Sequence, residues 1–77
     1  MEKTKAFVLI TAHFGKKKDA IKTLKKISAI KNIYKVCGCY DLIAEVNAED
    51  PAKLKEILQW QIRRIDGIGS TLTLIVL

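Results

Sequence analysis

Several absences narrow the possibilities for this sequence of 77 residues. It has one histidine, His13, and two cysteines, Cys37 and Cys39. A Cys-x-Cys pair has no second ligand pair with which to close a zinc site, so no metal role is implied. One histidine without a placed partner makes no acid–base or nucleophilic constellation. Aromatic residues amount to 6%, and no strand carries an aromatic pair like that of an RNA-recognition sheet. No apolar run approaches the ~20 residues of a membrane span. The N-terminal run alternates like a strand and is followed by no small-residue cleavage site, so no signal peptide is indicated and a cytosolic protein is expected. Acidic residues are nearly missing from one segment. Residues 16–35 hold eight lysines (16, 17, 18, 22, 25, 26, 31 and 35) against Asp19 alone, a net +7, and the rest carries −1 of the total +6.

Hydrophobic residues, by contrast, make up 49%. That is high for a chain this short, which buries only roughly 60% of its unfolded surface alone. Lys5 to Ala12 reads as a strand with apolar residues at both parities, Phe7 and Leu9 on one face, Val8 and Ile10 on the other. Such a strand requires cover on both sides. Lys16 to Ser28 reads as a helix with Ala20, Leu24, Ile27 and Ser28 inward, Ile21 at the edge and the lysines elsewhere. Ile30 to Gly38 and Tyr40 to Asn47 read as two strands, pairing antiparallel through a corner at Gly38-Cys39. Asp50-Pro51 is an N-cap followed by a residue preorganised for the first helical position. The inner face of that second helix is expected to be Leu54, Ile57, Leu58, Gln61 and Ile65, with Trp60 outward as a candidate subunit contact. Gly69 to Leu77 reads as a last strand with two apolar faces.

Leu24-Lys25-Lys26-Ile27-Ser28-Ala29-Ile30 echoes Ile62-Arg63-Arg64-Ile65-Asp66-Gly67-Ile68, each block closing a helix and opening a strand. The order is β-α-β twice. It predicts an α+β, ferredoxin-like βαββαβ fold, a four-stranded antiparallel sheet with two helices on one face, in a single domain over residues 1–77. Two helices cover only one face of a sheet, so the other face predicts a dimer, sheet against sheet or edge to edge; the expected fold class includes a dimeric α/β barrel-like packing of the sheets.

The stretch Val36-Cys37-Gly38-Cys39-Tyr40-Asp41-Leu42 is the chemical centre. Gly38 supplies a backbone free of a Cβ. Asp41 is a carboxylate at the mouth of an apolar run, where burial demands a partner. It serves either a hairpin, accepting from neighbouring backbone N–H groups, or a recognition loop for a small zwitterion. The two cysteines, read as strand residues on one face, disfavour a direct bridge and are expected to be buried or in an interface.

Three segments taken together resemble the effector domain of the Lrp/AsnC family, also called the RAM domain. They are Ala6-Phe7-Val8-Leu9, Tyr34 to Leu42, and Ile62 to Leu74, and the resemblance covers Lys5 to Leu77. It implies dimers packed through their sheets, assembled into octamers or similar rings, with an amino-acid effector between dimers. It implies that Gly38, Tyr40 and Asp41 hold the ligand, helped by Ser70 and Thr71 of a neighbouring subunit. A zwitterion needs an acceptor for its ammonium and donors for its carboxylate, and this set offers both. No cofactor is implied. Cys37 stands where the family usually has Thr or Ser, and Cys39 where a polar residue is common. Ser28-Ala29 replaces a common Pro-Gly, so the first helix is expected to end later than in relatives. The helix-turn-helix of full-length regulators is not found, so the expectation is a stand-alone effector domain. It would modulate full-length Lrp/AsnC regulators and not read DNA sequence itself. The alternatives are non-specific nucleic-acid binding through residues 16–35, which salt would weaken, and a small dimeric ferredoxin-like enzyme using His13, Asp41, Cys37 and Cys39.

Overall fold

The computed structural model describes residues 3–77. Strand β1 is Thr4–Ala12, helix α1 Lys17–Lys25, β2 Ile30–Lys35, β3 Leu42–Ala48, α2 Pro51–Glu56, and β4 Ile68–Ile75. Between α2 and β4 the helix continues as a π-helical segment, Ile57–Ile62. The strands form one antiparallel sheet in the order β2-β3-β1-β4, the ferredoxin-like βαββαβ arrangement.

Register explains the core. Ala6, Val8 and Ile10 lie opposite Val46, Ala44 and Leu42, and directly opposed residues share a face. All six are fully buried. Ala20 and Leu24 of α1 close over them, with Leu54, Ile57 and Ile62 from the second helical stretch. Both helices therefore lie on one face. Phe7 and Leu9 point to the other face and are half-buried. There they lie opposite Leu74 and Leu72 on β4 and Glu45 and Ile43 on β3, with Tyr34 beyond Ile43. Leu72 is 45% exposed and Leu74 51%. Among the described residues no helix is long and apolar enough to cross a membrane.

Four boundaries differ from the sequence expectation. Helix α1 ends at Lys25, three residues before the expected Ser28. Bonds from Lys26 N to Thr23 O (3.1 Å) and Ile27 N to Leu24 O (3.0 Å) tighten its last turn. A turn closed by Ile30 N donating to Ile27 O (3.1 Å) then leads into β2, Ala29 O accepts from Asn47 N (2.9 Å), and Ser28 is exposed. The second helix starts as expected, with Asp50 Oδ1 accepting from Lys53 N at 2.8 Å. It then widens, Arg63 N donating to Leu58 O five residues back at 3.0 Å. One extra residue per turn advances the inward phase, so Ile62 is fully buried and Gln61, expected inside, is exposed. Strands β2 and β3 stop short of Gly38-Cys39, and Val36–Asp41 is a loop. Its ends are drawn together by Val36 N donating to Asp41 O at 2.9 Å. Strand β4 begins at Ile68 and ends at Ile75, two residues before the expected end.

Candidate functional site

The loop Val36–Asp41 leaves the sheet beside the C-terminal end of β1, and Asp41 anchors it there. The Asp41 N–H donates to Ile10 O at 2.9 Å. Its Oδ2 accepts from the Ala12 N–H at 2.8 Å in a partly buried setting. The carboxylate therefore has a structural partner, on another strand and not within its own hairpin. Its second oxygen, Oδ1, takes no donor among the described residues. Tyr40 is half-buried. Gly38 is exposed at φ 137°, a backbone state that side chains rarely adopt, and a Cβ there would meet nothing within 4 Å. The loop's tip thus stands off the body.

Strand β4 reaches the same end of β1 from the opposite side. The pairing shifts between Ile10, opposite Thr71, and Ala12, opposite Ile68, so that Gly69 and Ser70 of β4 face Thr11 alone. A bulge of this kind re-aims a side chain. Thr11 Oγ1 accepts from Ser70 N–H at 2.7 Å and lies 3.1 Å from Ser70 Oγ. Thr71 lies opposite Ile10 in the ladder. Gly69 permits the approach, since a Cβ there would sit 2.6 Å from Thr11 Oγ1 and 3.3 Å from His13 Cδ2. Arg63, Ile68, Gly69, Ser70 and Thr71 line an open cavity of about 310 Å³.

Within one chain, then, the two halves of the anticipated site flank β1. Asp41 is bonded to Ala12 and Ser70 to the adjacent Thr11. Asp41, Ser70 and Thr71 share one end of the sheet, while Gly38 projects beyond it. Sequence reasoning missed Thr11 and Arg63. A hydroxyl near the end of an otherwise apolar strand was the available signal for Thr11. Arg63 was assigned only to the helix dipole, although a guanidinium is a fitting carboxylate donor.

The cysteines do not behave as expected. Both are free and exposed, because they lie in the loop and not on a strand, so the expectation of burial is overturned for the chain itself. Trp60 does point outward, 63% exposed, with the Arg64 guanidinium 5.5 Å from the ring centroid. Lys17 is half-buried and the other lysines of the basic segment are exposed. Lys16 pairs with Asp66 at 3.3 Å. No group of three or more His, Cys, Asp or Glu side chains is placed to hold a metal ion among the described residues.

Comparison with known proteins adds the following. A family model described as the Lrp/AsnC ligand binding domain matches residues 5–77. The HTH-type transcriptional regulator FL11 of Pyrococcus furiosus is 31% identical over 72 residues, covering 94% of this chain and 47% of the regulator. A homocitrate synthase of Sulfurisphaera tokodaii is 39% identical over 54 residues, covering 70% of this chain and 12% of that protein. The chain thus spans less than half the length of either relative. Among solved structures, FFRP-DM1 superposes with a TM-score of 0.92 at 30% identity, covering 96% of this chain and 99% of that one. A transcriptional regulator of Neisseria meningitidis in complex with L-Met has a TM-score of 0.89 over 96% of this chain and 49% of its own. At 14% identity it shares the fold alone.

Proposed function

The chain belongs to the Lrp/AsnC ligand-binding domain family, and from that membership we propose that it is a regulatory domain for a small amino-acid effector, acting in the cytoplasm as a homo-oligomer. The 77 residues work as one effector domain. Dimers form through the open sheet face and assemble further into an octamer or similar ring. The effector sits between subunits, with Gly38, Tyr40 and Asp41 from one and Ser70 and Thr71 from its neighbour. Full-length Lrp/AsnC regulators are the candidate hetero-partners. The role is not catalytic: the likeness to homocitrate synthase reaches only 12% of that protein.

The observation that carries this reading is the polar end of an otherwise apolar sheet. Asp41 and Ser70 are held by consecutive residues of β1 on its two opposite sides, Asp41 with an Oδ1 that takes no donor among the described residues, so each chain carries both halves for sites shared with its neighbours. An ammonium suits Asp41, and a carboxylate suits Ser70, Thr71 and exposed backbone N–H groups near Gly38. The L-Met held by the Neisseria regulator makes amino acids the class to test first.

Isothermal titration against each of the twenty amino acids tests it. One or a few should bind. Asp41→Asn keeps an acceptor for Ala12 but removes the charge, and should weaken binding about tenfold or more, a loss of roughly 1.5–3 kcal/mol for a charged hydrogen bond. If no amino acid binds the wild-type chain at millimolar concentration, the effector reading is wrong.

A further inference from the structure

The cysteines are the chemistry that the effector reading leaves unused. They are the only two in the chain, and the fold places both in the loop that carries Gly38, Tyr40 and Asp41. Neither is buried and neither is bridged. A strand would place the two thiols poorly for a direct bond. In an extended strand, Cα atoms two residues apart are separated by about 6.7 Å with parallel Cβ vectors, at the outer limit for a disulfide. The structure removes that obstacle: β2 ends at Lys35, and the chain bends at Gly38 and Cys39. Outside a strand, neither the extended separation nor the parallel Cβ vectors are imposed on the pair. Gly38, at φ 137° with open space around it, lets the backbone between them adjust. The loop's ends are fixed by the Val36–Asp41, Asp41–Ile10 and Ala12–Asp41 bonds. Among the described residues, Cys37 to Tyr40 make no backbone bond to the body. A bridge can therefore form without disturbing the sheet.

We propose that Cys37 and Cys39 form a reversible intramolecular disulfide, a redox-modifiable site on the effector loop. The oxidant is a low-molecular-weight disulfide. One cysteine thiolate attacks a sulfur of that disulfide, forming a mixed disulfide and expelling one small thiolate. The second cysteine thiolate attacks the protein-side sulfur of the mixed disulfide, forming the Cys37–Cys39 bond and expelling the other small thiolate. The two protons shed by the cysteines are taken up by the two small thiols. The protein loses two electrons and the small disulfide gains them. Closing the ring reshapes the backbone on both sides of Gly38, next to Tyr40 and Asp41. For this regulatory consequence the inference rests on the effector reading. By linkage, an effector that prefers one redox state shifts the thiol–disulfide equilibrium by the same factor.

The test equilibrates the full chain with oxidised and reduced glutathione at graded ratios, quenches with acid, alkylates with N-ethylmaleimide and measures intact mass. Under oxidising ratios the wild-type chain should become two hydrogens lighter, take up no alkyl group and remain a single chain on a non-reducing gel. Cys37→Ser and Cys39→Ser should each stop at the glutathione adduct or link between chains. The proposal is overturned if both wild-type thiols stay alkylatable at every ratio. It is equally overturned if oxidation yields only glutathione adducts or chain-to-chain links. The mass readout needs no effector, so a chain that closes the disulfide but binds no amino acid refutes the effector reading alone. Where an amino acid binds, the oxidised form should differ in affinity by tenfold or more, and the Cys37→Ser, Cys39→Ser double variant should bind equally in both buffers. Equal affinity of the two wild-type forms would overturn the regulatory consequence.

Discussion

On one face of the sheet, Val8, Ile10, Leu42 and Val46 are sealed beneath the helices. On the other, Phe7, Leu9, Ile43, Leu72 and Leu74 offer the same chemistry to solvent, the two β4 leucines about half exposed. Hydrophobic pattern marks both faces alike, and only topology separates them. Both crossovers between strands return over the same side, so the second face has no cover among the described residues. Contiguous exposed apolar surface of this kind is characteristic of an interaction site. The two faces thus divide the hydrophobic effect: one stabilises the chain itself, the other is available to stabilise an assembly.

The contrast can be broken most completely at β4. Leu74→Lys should leave the helix-covered core intact by circular dichroism while reducing the light-scattering mass to that of a monomer. A charged residue there without loss of mass would mean that the open face is not the interface. The covered face responds to cavity formation. Ile62→Ala should cost about 2–5 kcal/mol in urea unfolding, whereas Gln61→Ala, on the solvent side of the widened turn, should stay within roughly 0.5 kcal/mol. The reverse ranking would show that the helix keeps its ordinary phase through this segment. Removing the cap of the covering helix is milder: Asp50→Ala should cost on the order of 1 kcal/mol, read from the same unfolding curves. The smallest effect belongs to the rim of the open face. Lys5 and Glu45 pair there at 3.7 Å in a half-exposed setting, worth about 0–1 kcal/mol. Lys5→Ala should therefore be nearly silent in the chain alone, and any larger cost should grow with protein concentration.

Much of this was legible in the sequence. Alternation gave β1 and β3 their correct faces, the Asp50-Pro51 pair located the start of α2, and the two-sided strands predicted the uncovered face. The failures are local and physical. Periodicity presumes an α-helical turn throughout, so it could not foresee that the Arg63–Leu58 bond turns Ile62 inward in place of Gln61. Apolar Val36, Cys37 and Tyr40 read as strand, whereas hydrogen bonding to β1 decides where the strands end. For the site, the loop and the Ser70-Thr71 pair could be named, but their juxtaposition depends on Ala12 and Thr11, which are 29 and 59 residues away in sequence. Nothing local in the chain encodes that meeting.

The order β2-β3-β1-β4 also governs how the molecule must be made. The first strand in the chain occupies an inner position, and one of its two neighbours is the last strand. As the chain leaves the ribosome, β1 can take β3 as a partner and α1 as a cover for one face, but must hold its other edge unpaired until Ile75 has emerged. Joining partners so far apart carries a loop-closure cost before any contact repays it, and topologies of high contact order fold slowly for that reason. Refolding should accordingly be limited by the docking of β4. The nascent chain passes through an interval in which its central strand is exposed to chaperones or to neighbouring copies.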